Sequence, residues 1–355
     1  MRVFSALGAA AIAFTTFSVV APTPSPAQTP SASPSTIVIG VVPSVPAAAT
    51  YLAVEKGYFK EAGISVDLEN IVSSSTAMAL LASNRMQVVE GGVAPNYWNA
   101  LASGLPVVMA LERASSPLYH DVLIRKDLVG KLKTPADLKG RPVAEVSPGS
   151  SALYEVGQVL ASAGLDLKDI DIKYIPFQQM GIALANGAVD AAFEVPPFGA
   201  TVINQGQGVH WLDPEDYIKV LPSSFVAYFA NSDWIKANPD TAKKFFLALV
   251  KGGRDFCQAY HHGPNRAEVV DVMFKYKVGT DREALDKMAW QARNPDGHFN
   301  VASVLDLQDW FFKEGIVKSK FSAERLIDSE YADNADKTLP PFKVINEADQ
   351  LKGCR

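Results

Sequence analysis

Short clusters of serine and glycine carry the clearest chemical suggestion in this chain. Ser147-Pro148-Gly149-Ser150-Ser151 stands directly before a helix-forming run, Ala152 to Ala163. The first turn of a helix leaves backbone N–H groups unpaired, and the helix dipole adds positive potential there. Such an end suits an anion, and the hydroxyls of Ser147, Ser150 and Ser151, around Gly149, would add donors. Ordinary capping by one serine produces the same pattern, so both readings stay open. Ser73-Ser74-Ser75-Thr76 repeats the design ahead of Ala77 to Ala82. Gly91-Gly92-Val93 permits close approach of backbone to a ligand, or simply a tight strand-to-helix turn. The Pro43–Ala47 loop, with Ser44, Val45 and Pro46, joins the wall by position after a strand.

Charged candidates are fewer. Arg113 follows an apolar run and offers a planar fork to an anionic head group, or sits as a surface or interlobe residue. Glu90, Glu145 and Glu194 lie at or near strand ends, where an acid is costly unless it is exposed or paired. Glu194 leads into Pro196-Pro197 and either lines a cleft or forms a structural ion pair. Acids facing a ligand would favour an amine-bearing or cationic solute over a bare anion. Tyr119, Tyr154, Phe198 and Phe225 have the chemistry to stack on a ring, although such aromatics commonly fill a core.

Catalytic chemistry finds little support. His120, His210, His261, His262 and His298 show no metal-ligand spacing, and there is no Gly-x-Ser-x-Gly elbow or Walker-type phosphate loop. The expectation is therefore no enzyme, no cofactor and no metal. Cys257 and Cys354 are the two cysteines. In an oxidising compartment they can pair or remain free thiols, and one pair does not decide between these.

The elements that would position these residues alternate. Ile37 to Val42 is a β-branched strand, followed by a helix over 47–62, a strand at Ile64–Leu68, a helix from Ala77, a strand at Met86–Val89, a helix at Pro95–Ala102 and a strand at Pro106–Leu111. The rhythm repeats with a short helix from Thr134-Pro135, a strand at Pro142–Val146, a helix at 152–163, a strand at Ile170–Ile175, a helix at Gln179–Asn186 and a strand at Val189–Phe193. Phe225–Ala230 is a last strand. Helices then follow at 232–236, 239–261, 266–274, 282–293 and 301–314, with a polar tail from Phe321. Such alternation predicts α/β units with mostly parallel sheets, whose ligands sit at the carboxyl ends of the strands.

The formal charge is −5 and no basic run occurs, so a nucleic-acid partner is not expected. Met1-Arg2 and the apolar run 6–20, followed by Ser25-Pro26-Ala27, read as a signal peptide cleaved near Ala27; the run is short for a membrane span. Residues 28–35 read as a disordered Pro/Ser/Thr leader, and folded structure is expected from Thr36 in a mature protein with no membrane-inserted segment.

Four stretches then carry a resemblance. They are residues 53–66 (AVEKGYFKEAGISV), 138–144 (LKGRPVA) leading into Pro148–Ser151, 185–193 (ANGAVDAAF) and 231–240 (NSDWIKANPD). In this order they resemble the nitrate/taurine/aliphatic-sulfonate family of periplasmic solute-binding proteins, receptors of ABC importers. The resemblance implies a two-lobed periplasmic-binding-protein fold of type II with two interlobe crossings. Lobe 1 would comprise 36–120 plus 226–320, lobe 2 would comprise 121–225, and a tail, 321–355, would pack on lobe 1. It implies a monomeric periplasmic receptor that closes on a small organic anion, sulfonate or carboxylate, and hands it to permease subunits. A flat, thiamine-precursor-like heterocycle and a sensor role are the alternatives. The Pro43–Pro46 loop, without a charge, and Glu90, where relatives often carry a small or apolar residue, depart from the family pattern.

Overall fold

A β-branched run with no polar face builds a buried strand, and Ile37–Val41 forms one, β1. The computed structural model describes residues 36–116 and 121–355. The expected signal segment, the leader, and Tyr119 and His120 lie outside the described residues.

β1 is joined by β2 (Val66–Asn70), β3 (Val88–Gly92) and β4 (Val107–Ser115). The chain then enters a second sheet through β5 (Asp121–Ile124), β6 (Pro142–Glu145), β7 (Asp171–Tyr174), β8 (Ala191–Glu194) and β9 (Val209–Leu212). It returns to the first sheet as β10 (Ser224–Asn231). The two sheets run β2-β1-β3-β10-β4 and β7-β6-β8-β5-β9. In each, four strands run in the same direction and the fourth in order is antiparallel to both its neighbours. That antiparallel strand is, in both sheets, the one the chain makes just after passing from the other sheet. The expected α/β class with two mixed, mostly parallel sheets is what the chain forms.

The first sheet is covered on both faces. The helices Ala48–Glu55 and Pro239–Tyr260 pack together on one side, so closely that a Cβ on Gly252 would collide with the Ala49 carbonyl. Pro95–Ala102 and Val301–Lys313 lie on the other. The second sheet carries Ala152–Ala161 on one face and Phe177–Ala185 with Phe198–Asn204 on the other, over smaller cores. Late helices thus cover the first sheet.

Several elements differ from expectation. β5 and β9, four residues each, went unforeseen. β4 runs to Ser115, so Arg113 lies within a strand instead of after it. Gly91 and Gly92 belong to β3, paired with Ala227 and Val226 of β10, and do not form a turn. The helix expected over 282–293 stops at Lys287, and residues beyond it form an extended strap. Ser115 N–H donates to Ala292 O at 2.9 Å, a tertiary bond that replaces the helical one. The tail holds two helices, Ala323–Leu326 and Glu330–Thr338. Cys257 and Cys354 are joined in a disulfide, Cα atoms 5.1 Å apart, which fastens the tail to the helix Pro239–Tyr260. Among the described residues no helix is long and apolar enough to cross a membrane.

Candidate functional site

The loops after the parallel strands of both sheets converge on one cleft of about 760 Å³, partly open to solvent. Ser44 and Pro46 come from the loop after β1, Ser74 and Ser75 from the loop after β2, and Gly91 and Gly92 from the end of β3. Arg113 of β4 and Phe225 of β10 complete that side, and Ser147, Ser150 and Ser151 arrive from the loop after β6. Open α/β sheets place ligands at the carboxyl ends of their strands, and the cleft obeys that rule twice, once per sheet.

Arg113 reaches the cleft through an irregularity. Val226 pairs with Ala114 and Ala227 with Glu112, so Arg113 is the extra residue of a β-bulge, a device that re-aims a side chain. One of its terminal nitrogens lies 2.8 Å from Glu90 Oε2 and 3.3 Å from Ser44 Oγ. Glu90 is fully buried and also accepts from the Thr50 hydroxyl, which contacts Tyr228 Oη at 3.0 Å. Burial raises the Glu90 carboxyl above the usual range, opposed first by Arg113 and then by Thr50. The cation of the cleft is therefore already matched by an acid behind it.

The serine loops also turn part of their donor set inward. The Ser147 N–H donates to Glu145 Oε2 at 2.9 Å, and the Ser150 hydroxyl donates to the other oxygen of the same buried carboxylate. Ser147 Oγ has no partner among the described residues. In the other loop Ser73 caps the helix Ser74–Ala82 by accepting from Thr76 N–H, while Ser74 Oγ donates to Gly92 O at 3.1 Å. Capping thus accounts for Ser73, whereas Ser74 and Ser75 still face the cleft. A Cβ on Gly92 would collide with Ser151 Oγ, so the end of β3 and the loop after β6 meet across the cleft.

Six expected residues lie off the lining. Val45 and Val93 are buried in the cores of the first sheet. Thr76 is exposed and donates its hydroxyl to Ser73 O. Gly149, at φ +70°, packs by Pro95. Pro196 is buried in a cis peptide bond with Pro197. Glu194 is buried beside Asp121, its partner across β5 and β8, while its neighbour Val195 lines the cleft instead. Burial first, then the Asp121 charge, push the Glu194 carboxyl up to about 9, against the pull of the Val195 N–H.

Other lining residues went unnamed in the sequence reading. Val42, Val72, Phe177 and Val146 follow strands β1, β2, β7 and β6, so the strand-end rule applied evenly would have found them. Phe177 stacks on Phe198, centroids 5.8 Å apart, and Phe225 packs against Tyr154 at 5.7 Å. Gln291 had no such signal, because it lies in the strap that the helical pattern concealed. That strap is anchored by Glu112, which accepts from Asn294 N–H at 2.6 Å. Burial, opposed by that bond, pushes the Glu112 carboxyl up to about 7. Among the described residues no group of His, Cys, Asp and Glu could hold a metal ion.

Known proteins share this architecture. The chain is 23% identical over 299 residues to the formylaminopyrimidine-binding protein of Halalkalibacterium halodurans, covering 77% of this chain and 84% of that protein. Its fold matches the periplasmic nitrate-binding protein of Synechocystis with a TM-score of 0.72 at 16% identity, covering 86% of this chain and 89% of that one. The alkanesulfonate-binding protein of Xanthomonas axonopodis pv. citri bound to MOPS matches with a TM-score of 0.69 at 18% identity, over 84% and 99%. The NMT1/THI5-like family pattern fits residues 46–260, and the chain belongs to that family.

Proposed function

We propose that this chain is an extracytoplasmic receptor that closes on a small organic anion, of the sulfonate or carboxylate class, and delivers it to the permease of an ABC-type importer. One observation carries the reading: a single cleft takes its walls from the strand ends of both sheets. A solute touching both sheets binds the closed arrangement better than an open one, and so shifts the population toward closure. In this reading the lobes are 36–120 with 226–320, and 121–225, and the tail belongs to the first. Residues 1–27 export the chain, which acts as a monomer and transports without transforming its solute. Arg113 and the serine hydroxyls receive the anionic end, and the apolar walls from Phe177 and Phe225 take the organic part. The names of the nitrate- and alkanesulfonate-binding neighbours support this class.

A second reading has its own observation. Glu90 matches Arg113, and Glu145 takes donors from the serine loop, which lowers the cleft's appetite for a bare anion. An uncharged flat ring between the phenylalanines fits that balance, and the formylaminopyrimidine-binding relative supports it. Thermal-shift and calorimetric titration with ethanesulfonate and with cytosine separates the two. Binding of ethanesulfonate, with a smaller radius of gyration at saturation, is the expected result. Binding of cytosine alone replaces the first reading with the second. A radius of gyration unchanged by a bound solute removes closure.

A further inference from the structure

We propose that Gln291 is a ligand-binding residue, and that its side-chain amide selects solutes bearing an amide-type edge, a hydrogen-bond acceptor next to a donor. The proposal rests on the receptor reading and deepens it, since neither solute class named above requires such an edge.

Gln291 is 4% exposed, yet it lines the same cleft as Arg113. Its Oε1 has no hydrogen-bond partner among the described residues. A buried amide oxygen without a partner is costly, so native proteins rarely keep one unless something else uses it. A glutamine serving only the fold would be tied into the protein by that oxygen. The backbone around it, in contrast, is tied down at each of the next three residues. Ser115 N–H donates to Ala292 O at 2.9 Å, Cys354 N–H to Arg293 O at 3.2 Å, and Asn294 N–H to Glu112 at 2.6 Å. Cys354 is itself held by its disulfide to Cys257. A rigid support beneath a polar side chain with an unpartnered oxygen is the arrangement of a preorganised recognition group.

The neighbouring charges narrow the chemistry. Arg113 offers donors only, and its charge is matched by Glu90. The serine hydroxyls of the cleft donate and accept through one atom, whereas the Gln291 carboxamide is a neutral group that presents an acceptor and a donor side by side. The complement of a carboxamide is another amide-type edge: a carboxamide, a lactam or a ureide. An organic anion carrying an amide and an uncharged ring with a lactam edge both satisfy it. A plain alkanesulfonate does not.

The test is calorimetric titration of the oxidised, full chain with three probes: ethanesulfonate, N-acetylated 2-aminoethanesulfonate, and cytosine. Wild type, Gln291→Leu and Gln291→Glu are compared, with unchanged circular dichroism as the folding control. At least one edge-bearing probe binds wild type more tightly than ethanesulfonate. Gln291→Leu weakens that probe at least about tenfold, because its buried edge is left unpaired, and weakens ethanesulfonate far less. Gln291→Glu, which keeps the shape and loses the donor, also weakens it. Equal affinity of wild type and Gln291→Leu for an edge-bearing probe overturns the inference and leaves the receptor reading standing. Preference of wild type for ethanesulfonate does the same. Failure of wild type to bind any of the three overturns both.

Discussion

Glu90 and Glu194 are buried acids on corresponding strands, and they are handled in opposite ways. β3 and β8 are each the third parallel strand of their sheet, flanked by the first parallel strand and the antiparallel one. Gly40 faces Val89 in one sheet, as Ala144 faces Ala192 in the other. Glu90 therefore corresponds in register to Phe193, and Glu194 to Gly91. One residue of offset puts the two carboxylates on opposite faces of their sheets. Glu90 meets a guanidinium delivered by a bulge, becomes part of the cleft's charge balance, and stays coupled to the site. Glu194 meets another acid, Asp121, and among the described residues no cation pairs with it; it is held as the neutral acid at pH 7. A shared topology fixes where a strand end lies, while its side-chain neighbours decide whether an acid there meets a cation.

The comparison can be broken most severely at Arg113. Arg113→Met leaves Glu90 buried without its cation and should cost about 3–5 kcal/mol in chemical denaturation. The double variant Glu90→Met with Arg113→Met should recover most of that loss; equal instability of the two would show that the pair is not the cause. The first sheet's side also carries the disulfide, and replacing Cys257 and Cys354 with serine should cost about 2–4 kcal/mol. Loss confined to local hydrogen-exchange protection, with no drop in global stability, would refute this. Gly92→Ala tests the contact between the two sides, because the new methyl meets Ser151. We expect ligand affinity to fall about tenfold, as overpacking costs about 1–3 kcal/mol, with the unliganded melting temperature little changed.

The smallest effect at neutral pH belongs to Glu194→Gln, within about 1 kcal/mol of wild type, since the side chain is already uncharged there. The pH dependence is where it appears. The folded state holds a proton that the unfolded state releases near 4.5, so wild-type stability falls as pH rises from there toward about 9. Glu194→Gln should flatten that decline and be the more stable form at pH 9. Glu112, up to about 7, and the raised Glu90 carboxyl contribute to the slope that remains. Parallel stability profiles for wild type and Glu194→Gln would show that Glu194 carries an ordinary charge.

Much of the cleft was legible because it sits where strand ends do. Ser44, Ser74, Gly92, Ser147 and Phe225 follow from locating strands by their apolar runs, a local property. Thr76 and Val93 were misplaced because a loop's position does not say which way each side chain turns. Gln291 was hidden by a helical pattern that ends six residues early, where hydrogen bonds to β4 outcompete helix propensity.

The sequence by itself determined the alternation of strands and helices, the late helical cover and the serine-rich strand ends, all of which are written in spacing over a few residues. Only the tertiary structure decided that Glu145 takes donors from a serine loop and that a bulge turns Arg113 onto Glu90. It likewise decided that a disulfide from the chain's last turn steadies the strap bearing Gln291. The physical reason is range. Periodicity records which face is apolar, whereas charge matching and polar satisfaction depend on groups brought together from strands far apart in the chain.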